Sequence, residues 1–199
     1  LFDRQTVEAI AARLERIFQA VVADPALPIG SLDILAADER RTMLVEWNET
    51  AHPVPDLTLP ALLEEQVAKS PDAVALVFGE TSLSYDELNA RANRMAHHLI
   101  EAGVGPESIV GLCLERSIDM VVSLLAILKA GAAYLPLDPN YPEDRLAFMV
   151  EDAEPICILT TTGLADRLPP SQQILIDDHD LAQALAKRSP HNPTDQERT

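Results

Sequence analysis

The stretch that decides the fold is Leu128-Lys129-Ala130-Gly131-Ala132-Ala133-Tyr134-Leu135-Pro136-Leu137-Asp138-Pro139. The apolar residues that lead into it predict a helix over 120–130, and residues 133–137 have the composition of a strand. Gly131 lets the helix end close to the strand that follows, and the Pro and Asp residues at the end of the stretch predict a turn. A helix is therefore joined to a strand by a very short connection, which is typical of an α/β protein.

Short apolar segments on both sides of this stretch alternate with helical patterns. Five such segments predict strands, over residues 73–78, 82–85, 109–114, 156–160 and 174–176. Six periodic segments predict further helices, over residues 6–23, 38–47, 59–69, 85–102, 143–151 and 181–187. This alternation predicts an α/β fold with a doubly wound, mostly parallel sheet, preceded by an α-helical region.

Several local expectations follow from single residues. Ser84 is expected to cap the helix over 85–102. The helix over 38–47 is expected to bury Met43, Leu44 and Trp47. From Ser189 onward the residues are polar and include prolines, so we expect a frayed tail there.

Charge restricts the class of protein. The chain has 199 residues, with 15 Lys and Arg against 32 Asp and Glu, and a net charge of −17. Such a surface repels nucleic-acid phosphates and anionic lipids, so we expect neither nucleic acid nor a membrane as a partner. The strongest apolar run, over 120–128, is shorter than the roughly 20 residues that a membrane span needs.

The cysteines and the first residues bear on location. Cys113 and Cys157 lie in apolar runs, which predicts buried thiols in a reducing, cytoplasmic environment. The sequence begins at Leu1 without methionine and without a signal-peptide core, and we interpret it as a piece of a longer chain.

Three segments carry residues of catalytic or ligand-binding type, and each has a structural interpretation. His97 and His98 fall at the end of a predicted helix, and the Asp of a His-His-x3-Asp-Gly motif is replaced by Ala102. Residues 103–108 resemble a dinucleotide loop but run from helix to strand, whereas phosphate-binding loops run from strand to helix. Residues 177–180 read as a solvated loop, because consecutive acidic residues rarely converge on one metal ion. Neither a GxSxG nor a GxxxxGK[ST] motif occurs.

Three further stretches resemble a known family. Residues 83–89, Leu-Ser-Tyr-Asp-Glu-Leu-Asn, resemble the first core motif of amino-acid adenylation domains. Residues 128–138 resemble the second, and 139–146 continue it. The N-terminal third, with Leu-Phe-Asp at 1–3 and Glu-Trp-Asn-Glu-Thr at 46–50, resembles the end of a condensation domain and its linker. The chain is thus similar to nonribosomal peptide synthetases of the AMP-dependent synthetase/ligase superfamily.

The resemblance implies an organisation and a function. It implies the end of a condensation domain over 1–35, a linker over 36–57 and the N-terminal part of an adenylation domain over 58–199, in the adenylate-forming-enzyme fold. Parent modules use ATP and Mg²⁺ to convert an amino acid into an aminoacyl-adenylate, which is transferred to phosphopantetheine on a carrier domain. The implied partners are the remaining condensation, adenylation and carrier domains of the same synthetase.

The resemblance transfers no functional residue to this chain. The family's phosphate-binding loop and catalytic lysine follow the position of Thr199, and the condensation histidines precede that of Leu1. We therefore assign no catalytic, cofactor-binding or metal-binding residue, and expect the 199-residue chain alone to be inactive and to bind no cofactor. Lys129 is interpreted as architectural, with its charge favouring the last turn of its helix.

Two alternatives remain open. One is a non-catalytic interaction or docking protein derived from such a module. The other is a ligase similar to acyl-CoA synthetases, which share the general architecture.

Overall fold

The computed structural model describes residues 2–198, and the chain divides into two compact units, Leu1–Asp56 and Leu57–Thr199. Within the described residues, every helix is too short or too polar to cross a membrane.

The first unit contains two helices, α1 (Arg4–Ala23) and α2 (Ala37–Leu44), with 3₁₀ turns at Ile29–Ser31 and Glu46–Asn48. Asp3 caps α1 by accepting a hydrogen bond from the Thr6 N–H at 2.7 Å. An ion pair of 2.8 Å between Arg13 and Glu39 links the two helices.

The expectation that residues 38–47 form one helix that buries three large side chains is wrong. The helix ends at Leu44, and Met43, Leu44 and Trp47 are 40%, 60% and 69% exposed. No described residue of this unit is buried, because two helices alone leave part of every side chain uncovered.

The second unit begins with α3 (Leu59–Lys69), the strands β1 (Val74–Phe78) and β2 (Thr81–Ser84), and α4 (Tyr85–Glu101). The two strands form the predicted antiparallel hairpin. The predicted cap at Ser84 is confirmed: its Oγ accepts from the Glu87 N–H at 3.2 Å, and the Glu87 carboxylate accepts from the Ser84 N–H at 2.9 Å.

A four-stranded sheet forms the centre of this unit. Its strands are β3 (Ile109–Leu112), β4 (Ala133–Pro136), β5 (Cys157–Thr160) and β6 (Gln173–Leu175), all parallel, in the order β4-β3-β5-β6. In the middle of β3, Gly111 lies between Leu135 of β4 and Ile158 of β5.

Helices cover both faces of this sheet. On one face, α4 packs with α5 (Ile118–Lys129) and α7 (His179–Ala186) around Met95, Leu99, Val110, Ile127 and Leu159. On the other face, α6 (Glu143–Ala153) packs through Leu146 against Cys113, Leu137 and Ile158. Since α5 joins β3 to β4 and α6 joins β4 to β5, the predicted doubly wound sheet is confirmed.

Gly131 makes the connection in the opening stretch. Its φ of +88° lies in the left-handed region that favours glycine, and it allows α5 to turn directly into β4. This confirms the role predicted for that glycine.

The expectation of a frayed tail after Ser189 is wrong. Residues 190–198 lie against α4 and α5, where Asn192 contacts the side chains of Asn89, Asn93 and Lys129. The polar composition that predicted a tail is matched here by polar partners that lie 63 to 103 residues away in sequence.

Candidate functional site

A cleft of about 770 Å³ lies at the carboxyl ends of β3 and β4. The chain leaves β3 toward α5 on one face of the sheet and leaves β4 toward α6 on the other, so the two helices diverge above the strand ends. Open α/β sheets bind ligands at their carboxyl edge, and the cleft lies on that edge, beside the point between β3 and β5 where the strand order reverses. Its floor and walls are apolar, formed by Leu112, Leu114, Met120, Leu124, Leu137 and Met149.

The rim of the cleft is polar and fixed by its own contacts. The Asp138 carboxylate accepts from the backbone N–H of Asn140 at 2.9 Å and from its Nδ2 at 3.0 Å, and these hydrogen bonds hold the pKa of Asp138 below its usual value. The Arg145 guanidinium lies 4.1 Å from the centre of the Tyr141 ring, a cation–π contact. Arg167 donates to the Tyr141 carbonyl oxygen at 3.2 Å, which ties the rim to the segment after β5.

The cleft has the features of a binding surface. Its described lining contains no Ser, Cys, His or Lys side chain, and its carboxylates are those of Glu115 and Asp138. The connection from β3 to α5, residues 113–117, contains no glycine and so does not form a glycine-rich phosphate cradle. The described residues also hold no group of three or more metal-ligating side chains.

Lys129 lies in the last turn of α5, as predicted, and it also makes contacts that the sequence did not indicate. Its side chain is fully buried, and its Nζ donates to Glu64 of α3 at 2.5 Å and to Asn192 Oδ1 at 3.2 Å. The ammonium is thus engaged by these two side chains rather than serving only the end of its own helix. Burial lowers the pKa of Lys129, and the hydrogen bond and charge of Glu64 oppose that shift.

No local pattern in the sequence indicates this network. Glu64 and Asn192 lie 65 and 63 residues from Lys129. The one available hint was a lysine next to the apolar run over 120–128, where a charge requires a partner if it is buried.

The predicted helix-end position of the two histidines is confirmed. His97 Nε2 lies 3.0 Å from the His191 carbonyl oxygen. Burial lowers the pKa of His98, and the nearby Arg188 lowers it further, so its ring is neutral at pH 7. Neither ring lines the cleft.

The remaining candidate segments make structural contacts. In the loop over 103–108, the Gly105 N–H donates to Ser108 Oγ at 3.2 Å, which closes the predicted helix-to-strand connection. The Asp177 carboxylate accepts from the Thr162 N–H at 2.9 Å, and Asp178 caps α7.

We predict that neither cysteine of the native chain reacts with N-ethylmaleimide at pH 8 while the sheet is folded. Cys113 and Cys157 are fully buried, and burial raises the pKa of both thiols, that of Cys157 to about 11. Only an accessible thiolate reacts, so both peptides should remain unmodified by mass spectrometry until guanidinium chloride unfolds the chain. Rapid modification of Cys157 in the folded chain would contradict this prediction.

Comparison with known proteins finds relatives along the whole chain. Residues 63–198 match the family described as AMP-binding enzyme. The chain is 48% identical to a dimodular nonribosomal peptide synthase of Bacillus subtilis, over 100% of this chain and 8% of that protein. It is 45% identical to chondramide synthase of Chondromyces crocatus, over 97% of this chain and 5% of that protein. The chain therefore spans less than a tenth of the length of these relatives.

Comparison with solved structures also finds a nonribosomal peptide synthetase. The nonribosomal peptide synthetase FmoA3 matches with a TM-score of 0.72 and 30% identity, over 97% of this chain and 21% of that one, both as the S1046A variant and in its AMPPNP-bound form. The N-terminal subdomain of NpsA from Klebsiella oxytoca matches over 69% of this chain and 34% of that one, with a TM-score of 0.59 and 21% identity, a likeness of fold.

Proposed function

Because the chain belongs to the AMP-binding enzyme family, as a segment of a nonribosomal peptide synthetase module, we propose that residues 58–199 contribute the N-terminal part of an amino-acid adenylation domain. The parent module would join the carboxylate of an amino acid to the α-phosphate of ATP, giving an aminoacyl-adenylate and releasing pyrophosphate. The aminoacyl group would then pass to a phosphopantetheine thiol on a carrier domain, with release of AMP. In this proposal, residues 1–35 end a condensation domain and residues 36–57 are the linker.

The observation that carries the proposal is the structure of the opening stretch. Residues 128–138 form the end of α5, the turn at Gly131 and the strand β4, and they place the cleft at the carboxyl edge of a doubly wound sheet. This segment lies within the family match over 63–198. The named relatives are peptide synthases, which supports an amino acid rather than an acyl-CoA precursor as the substrate of the parent.

ATP and Mg²⁺ are the proposed nucleotide and metal of the parent, supported by the AMPPNP-bound form of FmoA3. The connection from β3 to α5 has no glycine-rich cradle, and the described residues hold no metal-ligating group of three or more side chains. We propose that other parts of the synthetase supply the phosphate-binding loop and the metal ligands. The condensation, remaining adenylation and carrier domains of the same synthetase are the proposed partners, in the cytoplasm.

We predict that the 199-residue chain shows no amino-acid-dependent exchange of pyrophosphate into ATP. The native polypeptide that carries this sequence should show exchange with at least one amino acid, because exchange requires a complete triphosphate site. Exchange is measured with radioactive pyrophosphate, one amino acid at a time, and a reaction without amino acid is the control.

The outcomes separate the alternatives. Exchange by the 199-residue chain would contradict the proposed inactivity of this segment. A native polypeptide that is inactive with every amino acid but forms acyl-adenylates from other carboxylic acids would instead support the ligase similar to acyl-CoA synthetases. A native polypeptide close to the 21.7 kDa of this chain, inactive with both kinds of acid, would support a non-catalytic docking protein.

A further inference from the structure

A side-chain amide lies at the centre of the contacts that hold the segment after α7 on the helices. Asn192 Oδ1 accepts hydrogen bonds from Asn89 Nδ2 at 3.1 Å, from Asn93 Nδ2 at 2.9 Å and from Lys129 Nζ at 3.2 Å. Asn93 Nδ2 also donates to the Pro190 carbonyl oxygen at 2.6 Å. One oxygen therefore joins this segment to α4 and to the buried ammonium of α5. We name residues 188–198 the clasp.

Polar contacts hold the two ends of the clasp. At its start, Arg188 forms a 2.5 Å ion pair with Glu101 at the end of α4. At its end, Arg198 Nε donates to the Lys129 carbonyl oxygen at 2.8 Å. The Arg198 backbone also passes so close to Gly105 that a Cβ added there would lie 2.6 Å from the Arg198 carbonyl oxygen.

The clasp buries little apolar surface. Among residues 188–198, only Pro193 is buried, and most of the others are exposed. The sheet beneath the clasp is packed into the core: all four residues of β5 are buried, and Cys157 belongs to the main apolar core. Segments with few buried apolar contacts open at a much lower free-energy cost than a packed core does.

Lys129 lies directly beneath the clasp. It is fully buried, whereas the other two lysines of the chain, Lys69 and Lys187, are exposed. Its Nζ is covered by Asn192 on one side and by Glu64 of α3 on the other. The clasp, Lys129 and Glu64 thus form one chain of contacts from the end of the described sequence to α3.

We propose that the clasp opens and closes as a unit while the sheet stays folded, and that opening gives solvent access to Lys129. Opening removes the Asn192 oxygen from the ammonium and leaves Glu64 as its side-chain partner. This conformational device is independent of adenylation activity and can be tested on the chain itself.

The test is acetylation of the three lysines with N-hydroxysuccinimidyl acetate, followed by peptide mass spectrometry. N-ethylmaleimide modification of Cys157 in parallel samples reports opening of the sheet. Each rate is divided by the rate for the same residue in the chain unfolded by guanidinium chloride. We expect Lys69 and Lys187 to react freely, and the protection of Lys129 to be at least tenfold lower than that of Cys157.

Two variants open the clasp by different means. Asn192→Ala removes the shared acceptor, and Gly105→Ala places a methyl group against the Arg198 carbonyl oxygen. Each should raise the Lys129 rate at least fivefold while the protection of Cys157 stays unchanged. Gly163→Ala is the matched control, because a Cβ at that position meets nothing within 4 Å, and it should leave both rates unchanged.

Two results would overturn the proposal. Equal protection of Lys129 and Cys157 would mean that Lys129 is exposed only when the sheet opens. Thr58→Ala removes the N-cap of α3. If this variant raises the acetylation rate of Lys129 and neither clasp variant does, α3 is the element that controls access to Lys129.

Discussion

Replacing Lys129 with methionine is expected to lower the free energy of unfolding of the second unit by about 2 to 3 kcal/mol. Methionine keeps an unbranched apolar side chain but removes the ammonium that donates to Glu64 and Asn192. Loss of one partner of a buried pair leaves the other without compensation. The Glu64 side chain retains 25% exposure, so water relieves part of its cost, and we place the effect below the roughly 3 to 5 kcal/mol typical of breaking a fully buried pair.

Urea unfolding followed by circular dichroism at 222 nm measures this change. Tryptophan fluorescence is unsuitable, because Trp47, the single tryptophan, lies in the first unit. The matched control is Lys69→Met, whose 3.5 Å pair with Glu65 is exposed on both sides and should contribute no more than about 0.5 kcal/mol. Equal stability of the Lys129→Met and Lys69→Met variants would contradict a structural role for the buried pair.

Glu64→Gln tests the same pair through pH. Burial lowers the pKa of Lys129 in the folded chain, and Glu64 opposes that shift. A lysine whose folded pKa lies below its unfolded value binds fewer protons when folded, so stability rises with pH between the two values. Removing the Glu64 charge lowers the folded pKa further, and we expect the variant to gain more stability than the wild type as the pH rises toward 10.5.

Replacing Gly111 with alanine is expected to destabilise the second unit by about 2 kcal/mol. Gly111 lies in the central strand β3, and a Cβ there would lie 2.8 Å from Ile158 Cγ1 and 3.2 Å from Leu137 Cδ1. Both neighbours belong to the packed core beneath α6, where Ile158 is fully buried, so the added methyl group must displace packed side chains. The same urea measurement applies, and Gly163→Ala should change stability by no more than about 0.5 kcal/mol.

A double-mutant cycle identifies the cause. Ile158→Ala removes the side chain that the new methyl group meets. The Gly111→Ala/Ile158→Ala double variant should therefore be more stable than the sum of the two single losses predicts. Strict additivity would show that the clash with Ile158 is not the source of the loss.

The parts of the fold that local chemistry specifies were predictable from the sequence. Ser84 indicated the cap of α4, and Gly131 between two apolar segments indicated a helix-to-strand corner. The alternation of strands and helices gave the doubly wound sheet, since a parallel pair needs a crossover connection. Each of these signals lies within a few residues of the feature that it determines.

The parts that distant residues specify were not predictable. The sequence pattern indicates only a cation at a helix end for Lys129, because its partners Glu64 and Asn192 are adjacent to it only in the folded chain. The polar composition of the clasp predicted a frayed tail, because its partners are also distant in sequence. The cleft depends on how two helices leave neighbouring strands, so no single motif marks it. Exposure of Trp47 reflects the absence of a further layer in the first unit, which periodicity does not record.

The strand order has a consequence for how this chain is made. The central strand β3 is synthesised before either neighbour, since β4 and β5 follow it in sequence. On the ribosome, the β1–β2 hairpin and α4 emerge before β3 and can form from local contacts, whereas the apolar strand β3 must wait for its partners. The nascent chain therefore carries β3 without its β4 neighbour until residue 136 has emerged, and without its β5 neighbour until residue 160 has emerged. This interval of translation is when chaperone protection matters most.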